Sequence, residues 1–449
     1  MRSTLRLAIF LFVVALGEGL SNRTMLMISH RGASLDIRQV PLMMAQAAAA
    51  SGGRVRSLTQ EDRDCEQCFA QDGMIHDLKA IGVQIVDSKC SAGHGQIVNY
   101  LEKAKDMTGI AFVSEPDFEV FFDLPPGRAL QSRSCIRRNS VLGTNDVLSS
   151  CQSNLEVIRV GPAWVAGRAA KQKLKDIVLA IIDSGVDATH PDLVNQFWED
   201  PTDGSIGYNF ITDSSDVTDD VSHGTHCAGI AAAQTNNTVG VAGVANVNGE
   251  SPNVKLMILK FLGPRGGAIS DSLRAFNYAI EHGATVSSHS YGSIYRSRIA
   301  ENVFKNAAAA KHVALFAAGN NGTSLDRNPI YPCSYAANNP FTLCVAASTS
   351  ATTDLQLADY SNAGAVTKIA APGSGIVSTI PRGYAAYSGT SMATPTVAGA
   401  AALLATLGLE GQEITDAIIK SRTVGIPNSF GLHDIGELDV LSAVRVALG

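Results

Sequence analysis

Beyond about residue 158 the chain alternates short, uninterrupted apolar runs with longer segments whose apolar residues recur at helical spacing. "DIVLAIIDSG" is apolar for the full length of a buried strand, and "NVKLMILKFL", "HVALFAAGNNG", "TLCVAAST" and "GAVTKIAAPGS" repeat the pattern. Between them stand "GTHCAGIAAAQ", a helix of small residues, and "AISDSLRAFNYAIEHG", a helix ended by Gly283. Strands without a polar face, alternating with helices, predict an α/β domain: a parallel sheet with helices on both faces. Sites in such sheets form outside the carboxyl ends of strands. The residues just past each apolar run are therefore the first candidates for chemistry.

The first third of the chain has a different pattern. "KAIGVQIVDS" alternates like a strand, "GQIVNYLEKAKD" has helical spacing, and "GIAFVSEPDFEVFF" predicts a second strand ended at Pro116, so residues 72–122 form a small α+β unit. Residues 20–71, Ala-, Ser- and Gly-rich between 40 and 56, are expected to be a linker or low-complexity region. Residues 123–149, with Pro125, Pro126 and the basic "RSCIRR", are expected to be an exposed connector, leaving 150–449 for the α/β domain. At the start, Arg2 and Arg6 precede the apolar stretch Leu7 to Leu16, followed by Gly17 and Gly19. That is the pattern of a secretory signal over 1–19, too short to span a bilayer comfortably, so no stable membrane anchor is expected.

The chain has 449 residues, 45% of them hydrophobic and 17% charged, with a net charge of −6. This balance suits a globular protein and gives no general attraction to nucleic acid or anionic lipid. Eight cysteines in a secreted chain should mostly pair. Cys333 and Cys344 are expected to form a local bridge, and Cys135 with Cys151 is a second candidate. Cys65, Cys68, Cys90 and His94 also stand in a zinc-like order, but one CxxC with a distant Cys and His is weak against a disulfide. Sequons at Asn22, Asn236 and Asn321 allow glycosylation.

Four residues at the predicted strand ends and helix starts could do chemistry. Asp183 follows five apolar residues in "VLAIIDSG", where a carboxylate must accept hydrogen bonds or orient a cation, although an Asx-turn before Gly185 would use it as well. His223 opens the small-residue helix in "SHGTHCAG"; alone it would be a cap. His223 and His226 are spaced by three and lack an evident third ligand, which argues against a metal pair. Asn320 ends "LFAAGN", and a carboxamide there can donate to an oxyanion or simply sit in a turn. Ser391 stands at the entrance of the apolar helix that begins in "GTSMATPTV", where a hydroxyl is usually an N-cap but is also placed at the positive end of the helix.

The order Asp, His, Ser within "DSG", "HGTHCAG" and "GTSMATP" resembles the subtilisin-like serine proteases over about residues 150–449, and the Asn of "AAGN" fits the same family. The resemblance implies a serine endopeptidase with an Asp183–His223–Ser391 triad. Ser391 would attack a peptide carbonyl while His223 takes its proton, and Asp183 would hold the His223 tautomer. Asn320 and the Ser391 amide would bind the oxyanion; losing one such donor costs roughly 100- to 1000-fold in turnover in this same family. A catalytically silent binding protein on this fold is the alternative, and the presence of all three triad residues argues against it.

The resemblance implies further parts. "SSHSYGS", with Ser290, Tyr291 and Gly292, and "GPRGGAIS", with Gly266 and Gly267, match the two edges between which the family holds an extended polypeptide. The first pocket would lie between Tyr291-Gly292 and Ala317-Ala318-Gly319, near Asn321 and Ile330. It contains no carboxylate, so a neutral or apolar residue is expected before the scissile bond. "TNNTVGVAG" resembles the family's calcium loop, with ligands from the carbonyls of Thr235, Val239 and Val241 and the side chains of Asn237 and Asp192; the family's N-terminal ligand has no match here. The 72–122 unit resembles the inhibitory propeptide, so the chain is expected to be a zymogen, its own propeptide the intramolecular inhibitor. It should be cut between about 118 and 146 and be a monomer after processing. Cys227, beside the histidine, is expected to make activity sensitive to mercurials.

Overall fold

The structure, a computed structural model, describes residues 23–449 apart from 31–32, 51–57, 88, 123–127, 130–140, 172, 246–252 and 352. The expected secretory signal, the Asn22 sequon and Cys135 lie outside the described residues. The central sheet has nine strands among these residues, in the order Thr423–Val424, Gly436–Glu437, Ile369–Pro372, Thr342–Ser348, Val313–Ala317, Val286–His289, Ile177–Asp183, Val254–Lys260 and Gly207–Asn209. Every pair is parallel except the outermost, Thr423–Val424 on Gly436–Glu437.

The apolar runs are continuous because both faces of these strands are covered. In Ile177–Asp183, Leu179 and Ile181 join one core with Cys227, Val397 and Leu403, under helices His223–Ala232 and Thr390–Thr406. Ala180 and Ile182 join the other with Phe276, Phe304 and Phe316, under helices Ile269–Glu281 and Arg298–Asn306.

The N-terminal unit is a five-stranded antiparallel sheet. Its order is Ala33–Ser34, Thr24–His30, Val83–Val86 and Ile75–Leu78, with Ala111–Pro116 also paired to Thr24–His30. Helices Val40–Ala50, Gln60–Phe69 and His94–Thr108 cover it, and Leu26, Ile28, Val40, Phe69, Tyr100 and Leu101 fill its core. The expected linker over 20–71 is therefore corrected. Thr24–His30 pairs with three other strands through its edges, while its Leu26/Ile28 face packs in the unit's own core and Met25 on the opposite face joins the core of Phe276 and Phe304. The unit also continues past Pro116: Glu119–Val120 forms a further short strand. Within the expected connector, Arg128–Ala129 pairs with Ala385–Ala386.

Bridges among the described residues include Cys68–Cys90 and the expected Cys333–Cys344. The first removes the zinc-like order, since two of its thiolates are consumed and Cys65 is a buried free thiol pushed up to about 12 by burial. Cys151 is disulfide-bonded as well.

The N-terminal unit docks on the tips of two helices. The Asp117 carboxylate accepts from Ser270 N and Oγ at 2.9 and 2.6 Å, at the start of Ile269–Glu281. Glu115 accepts from Ser297 Oγ at 2.6 Å and Arg298 N at 2.8 Å, at the start of Arg298–Asn306. Carboxylates there satisfy free N–H groups and meet the positive ends of the helix dipoles.

Candidate active site

Asp183 is the last residue of its strand and 1% exposed. Its Oδ1 accepts from Ser184 N and from His223 Nδ1, each at 2.7 Å. His223 opens its helix, and Gly224 behind it lies so close to the chain that a Cβ would fall 2.2 Å from Gly185 O. Only a glycine lets the histidine helix press against the strand end that carries Asp183. Because Nδ1 donates to the carboxylate, neutral His223 has its free electron pair on Nε2. That nitrogen is buried and has no hydrogen-bond partner among the described residues. Burial pushes the His223 pKa down, but the Asp183 carboxylate and Cys227 together push it up by more, and the net direction is well above the ordinary histidine value.

Asp219 supports this corner and was not singled out from the sequence. Its carboxylate accepts from Thr225 N and Oγ1 at 2.9 and 2.6 Å, and from Ser184 Oγ at 2.9 Å; Ser184 Oγ in turn accepts from Gly224 N at 2.8 Å. It ties the start of the histidine helix to the end of the aspartate strand. An acidic residue just before a helix was the available signal.

Ser391 is the second residue of helix Thr390–Thr406. Its hydroxyl donates to Ser290 O at 3.3 Å rather than to His223. Catalytic hydrogen bonds often tighten only around substrate. Pro395, four residues on, has no N–H, which leaves the Ser391 carbonyl free of the usual helical donor. That carbonyl accepts from Ser290 Oγ at 3.1 Å and Cys227 Sγ at 3.4 Å. Cys227 Sγ is also 3.9 Å from His223 Nδ1, so the thiol contacts both His223 and Ser391.

Asn320 lies three residues past its strand, and its Oδ1 accepts from Thr390 N and Oγ1 at 2.8 and 3.0 Å. A backbone N–H can only donate, so the oxygen of the carboxamide faces Thr390 and Nδ2 is left to donate elsewhere. The donor is thus oriented by the residue preceding Ser391.

The two expected substrate edges are filled by the chain's own N-terminal unit. Val120 and Glu119 pair antiparallel with Gly267 and Ala268, while Phe121 exchanges hydrogen bonds of 2.9 and 2.8 Å with Gly292. At Gly266, φ is +97° and a Cβ would meet Val120 O at 2.5 Å, so glycine is required for this approach. Val120 is fully buried, and the Phe122 ring lies 5.0 Å from that of His223. Ile330 stands between the walls of the first pocket: its side-chain carbons are 2.6 and 3.6 Å from where Cβ atoms of Gly292 and Gly319 would be.

At the calcium-like loop, Asp192 accepts from Asn237 Nδ2 and Val241 N, each at 2.8 Å, and from Tyr384 OH at 3.0 Å. Asp146, beyond the reach of sequence matching, accepts from Asn236 N and Asn237 N at 3.0 and 3.1 Å. Burial, with the Asp192 charge adding to it, pushes Asp146 up to about 6; burial raises Asp192 also. Burial disfavours the charged form of both carboxylates, a cost that a bound cation would offset. This donor set fits a hard cation.

Comparison with known proteins agrees with this geometry. The Subtilase family model matches residues 174–432. A thermophilic serine proteinase of Bacillus sp. (strain AK1) is 41% identical over 54% of this chain, a match spanning 55% of that protein's length. Thermitase of Thermoactinomyces vulgaris is 35% identical over 60% of this chain and 88% of its own. Fervidolysin from Fervidobacterium pennivorans shares the fold over 96% of this chain and 62% of its own, with a TM-score of 0.67 at 22% identity. The chain belongs to the subtilase family of subtilisin-like serine proteases.

Proposed function

We propose that the protein is a serine endopeptidase made as a self-processing precursor and exported by the secretory route. Neutral His223 Nε2 takes the Ser391 proton as Oγ attacks a peptide carbonyl. Asp183 stabilises the imidazolium formed, and Asn320 Nδ2 with the Ser391 amide receives the oxyanion. The imidazolium then protonates the leaving amine, and water hydrolyses the acyl-enzyme. The observation that carries this reading is the strand 119–121, held on both edges like an extended substrate and ending with Phe122 on the catalytic imidazole.

In this reading residues 23–122 are the inhibitory propeptide, and the activating cut falls after Phe122, within 123–146. The Cys68–Cys90 and Cys333–Cys344 bridges support an oxidising compartment. Asp146, Asp192, Asn237 and the carbonyls of Thr235, Val239 and Val241 would hold a structural calcium, whose charge would offset the two buried carboxylates. Ile330 narrows the first pocket, which favours small neutral residues before the scissile bond.

The test is expression of the full chain and of Ser391→Ala, with intact mass and N-terminal sequencing. Wild type should cut itself between 123 and 146 while Ser391→Ala stays full length. A folded wild-type chain that remains uncut would overturn the self-processing reading.

A further inference from the structure

The strand Val286–His289 presents alternate residues to opposite faces. One face continues to Ser290, which touches Ser391 through both its carbonyl and its hydroxyl. The other carries Ser287, His289 and Tyr291, and these three are joined in series. His289 Nδ1 meets Tyr291 OH at 2.8 Å, and His289 Nε2 meets Ser287 Oγ at 2.7 Å. Ser287 Oγ also meets His312 Nε2 at 2.7 Å, and His312 Nδ1 ends the series on Ala284 O, again at 2.7 Å. All four side chains are at most 2% exposed.

The chemistry fixes every proton. A carbonyl only accepts, so His312 Nδ1 donates to Ala284 O and His312 Nε2 accepts from the Ser287 hydroxyl. The Ser287 oxygen then accepts from His289 Nε2, and His289 Nδ1 accepts from the Tyr291 hydroxyl. One tautomer of each ring satisfies the whole series with both rings neutral. The rings of Phe276, Phe304 and Phe316, centred 5.7, 5.8 and 4.8 Å from that of His289, favour the neutral form. Polar groups placed so deep cost stability unless fully bonded, and a fully bonded network fixes one geometry.

That geometry is needed where the sheet gives out. The ladder on both sides of this strand stops at His289, opposite Ile182 and Phe316. Ser290 to Gly292, which meet the nucleophile and the docked strand, lie beyond it. We propose that His289, held by Ser287 and His312, is a positioning residue. Through the Tyr291 hydroxyl it fixes the stretch 290–292, so that a peptide paired with Gly292 presents its scissile bond to Ser391 in register. The proposal rests on the endopeptidase reading above and deepens it.

The experiment compares processed wild type, His289→Leu, His289→Gln and Ser287→Ala on two substrates. One is a peptide with at least four residues before the scissile bond, long enough to pair with Gly292; the other is a single-residue ester, too short to reach it. His289→Leu should raise KM for the long peptide roughly 3- to 10-fold, the loss of about one hydrogen bond, with ester turnover within about twofold of wild type. Ser287→Ala should shift KM in the same direction by less. His289→Gln, which keeps a donor and an acceptor, should recover part of the long-peptide affinity. Equal losses on both substrates, or wild-type KM in folded His289→Leu, would overturn the positioning role. A wild-type enzyme hydrolysing neither substrate would overturn the endopeptidase reading instead, and the proposal with it.

Discussion

The ring of Phe122 lies against the imidazole of His223, 5.0 Å between centroids and tilted by 31°. The aromatic ring covers the imidazole whose Nε2 has no hydrogen-bond partner among the described residues, so in the proposed reading the N-terminal unit closes the site over its general base as well as along its edges. Phe122→Ala should weaken that closure by about 1–2 kcal/mol of lost apolar contact, roughly tenfold. Activity of the full chain after folding should then appear sooner than in wild type. An unchanged lag would place the closure in the paired strand alone.

Acid should hold the precursor silent. The Asp183 carboxylate raises His223 above the ordinary value of 6.5 despite burial. A raised folded-state pKa means the charged pair contributes stability that is complete at low pH and lost as pH rises through the folded pKa. Protonated His223 cannot take the Ser391 proton. Self-processing should therefore accelerate with rising pH, with its half-rise above 6.5; a half-rise below that value would show that burial outweighs Asp183.

Calcium should stabilise the protein through Asp146 and Asp192. At a concentration about 100-fold above Kd, binding contributes about 2.7 kcal/mol, which for a domain of roughly 300 residues corresponds to a Tm rise of roughly 3–5 °C. Asp146→Asn and Asp192→Asn should each lose most of that rise. In chelator, Asp146→Asn relieves the repulsion between two buried carboxylates but loses one of the two backbone hydrogen bonds Asp146 accepts, so its Tm should stay close to that of wild type. Thermal unfolding with calcium and with chelator reads both effects.

The width of the first pocket should follow residue 330. Ile330→Gly removes the side chain between Gly292 and Gly319. Peptides with Phe or Tyr before the scissile bond should gain roughly 10- to 100-fold in kcat/KM relative to the Ala peptide. No change in that ratio would move the specificity pocket elsewhere.

Sequence alone determined the α/β domain and the order of its candidate site residues. Uninterrupted apolar runs such as Ile177–Asp183 can be buried only from both sides, and Asp183, His223, Asn320 and Ser391 each stand at or just past the end of such a run or at the opening of a helix. Periodicity reports which faces of a local segment are covered, and here it reported correctly.

What covers a face is a long-range matter that no local pattern contains. Thr24–His30 looked like part of a linker because its two longer partners, Val83–Val86 and Ala111–Pro116, lie more than 50 residues away. Asp146 meets the loop at Asn236 across 90 residues, and Cys68 chose Cys90 rather than a metal. Likewise His289 and His312 become one hydrogen-bonded series only because parallel strands align Ser287 beside the entry of the next strand. Strand register and helix packing decided these pairings, since the free energy of a buried carboxylate, thiol or imidazole depends on what the fold brings within a few ångströms of it.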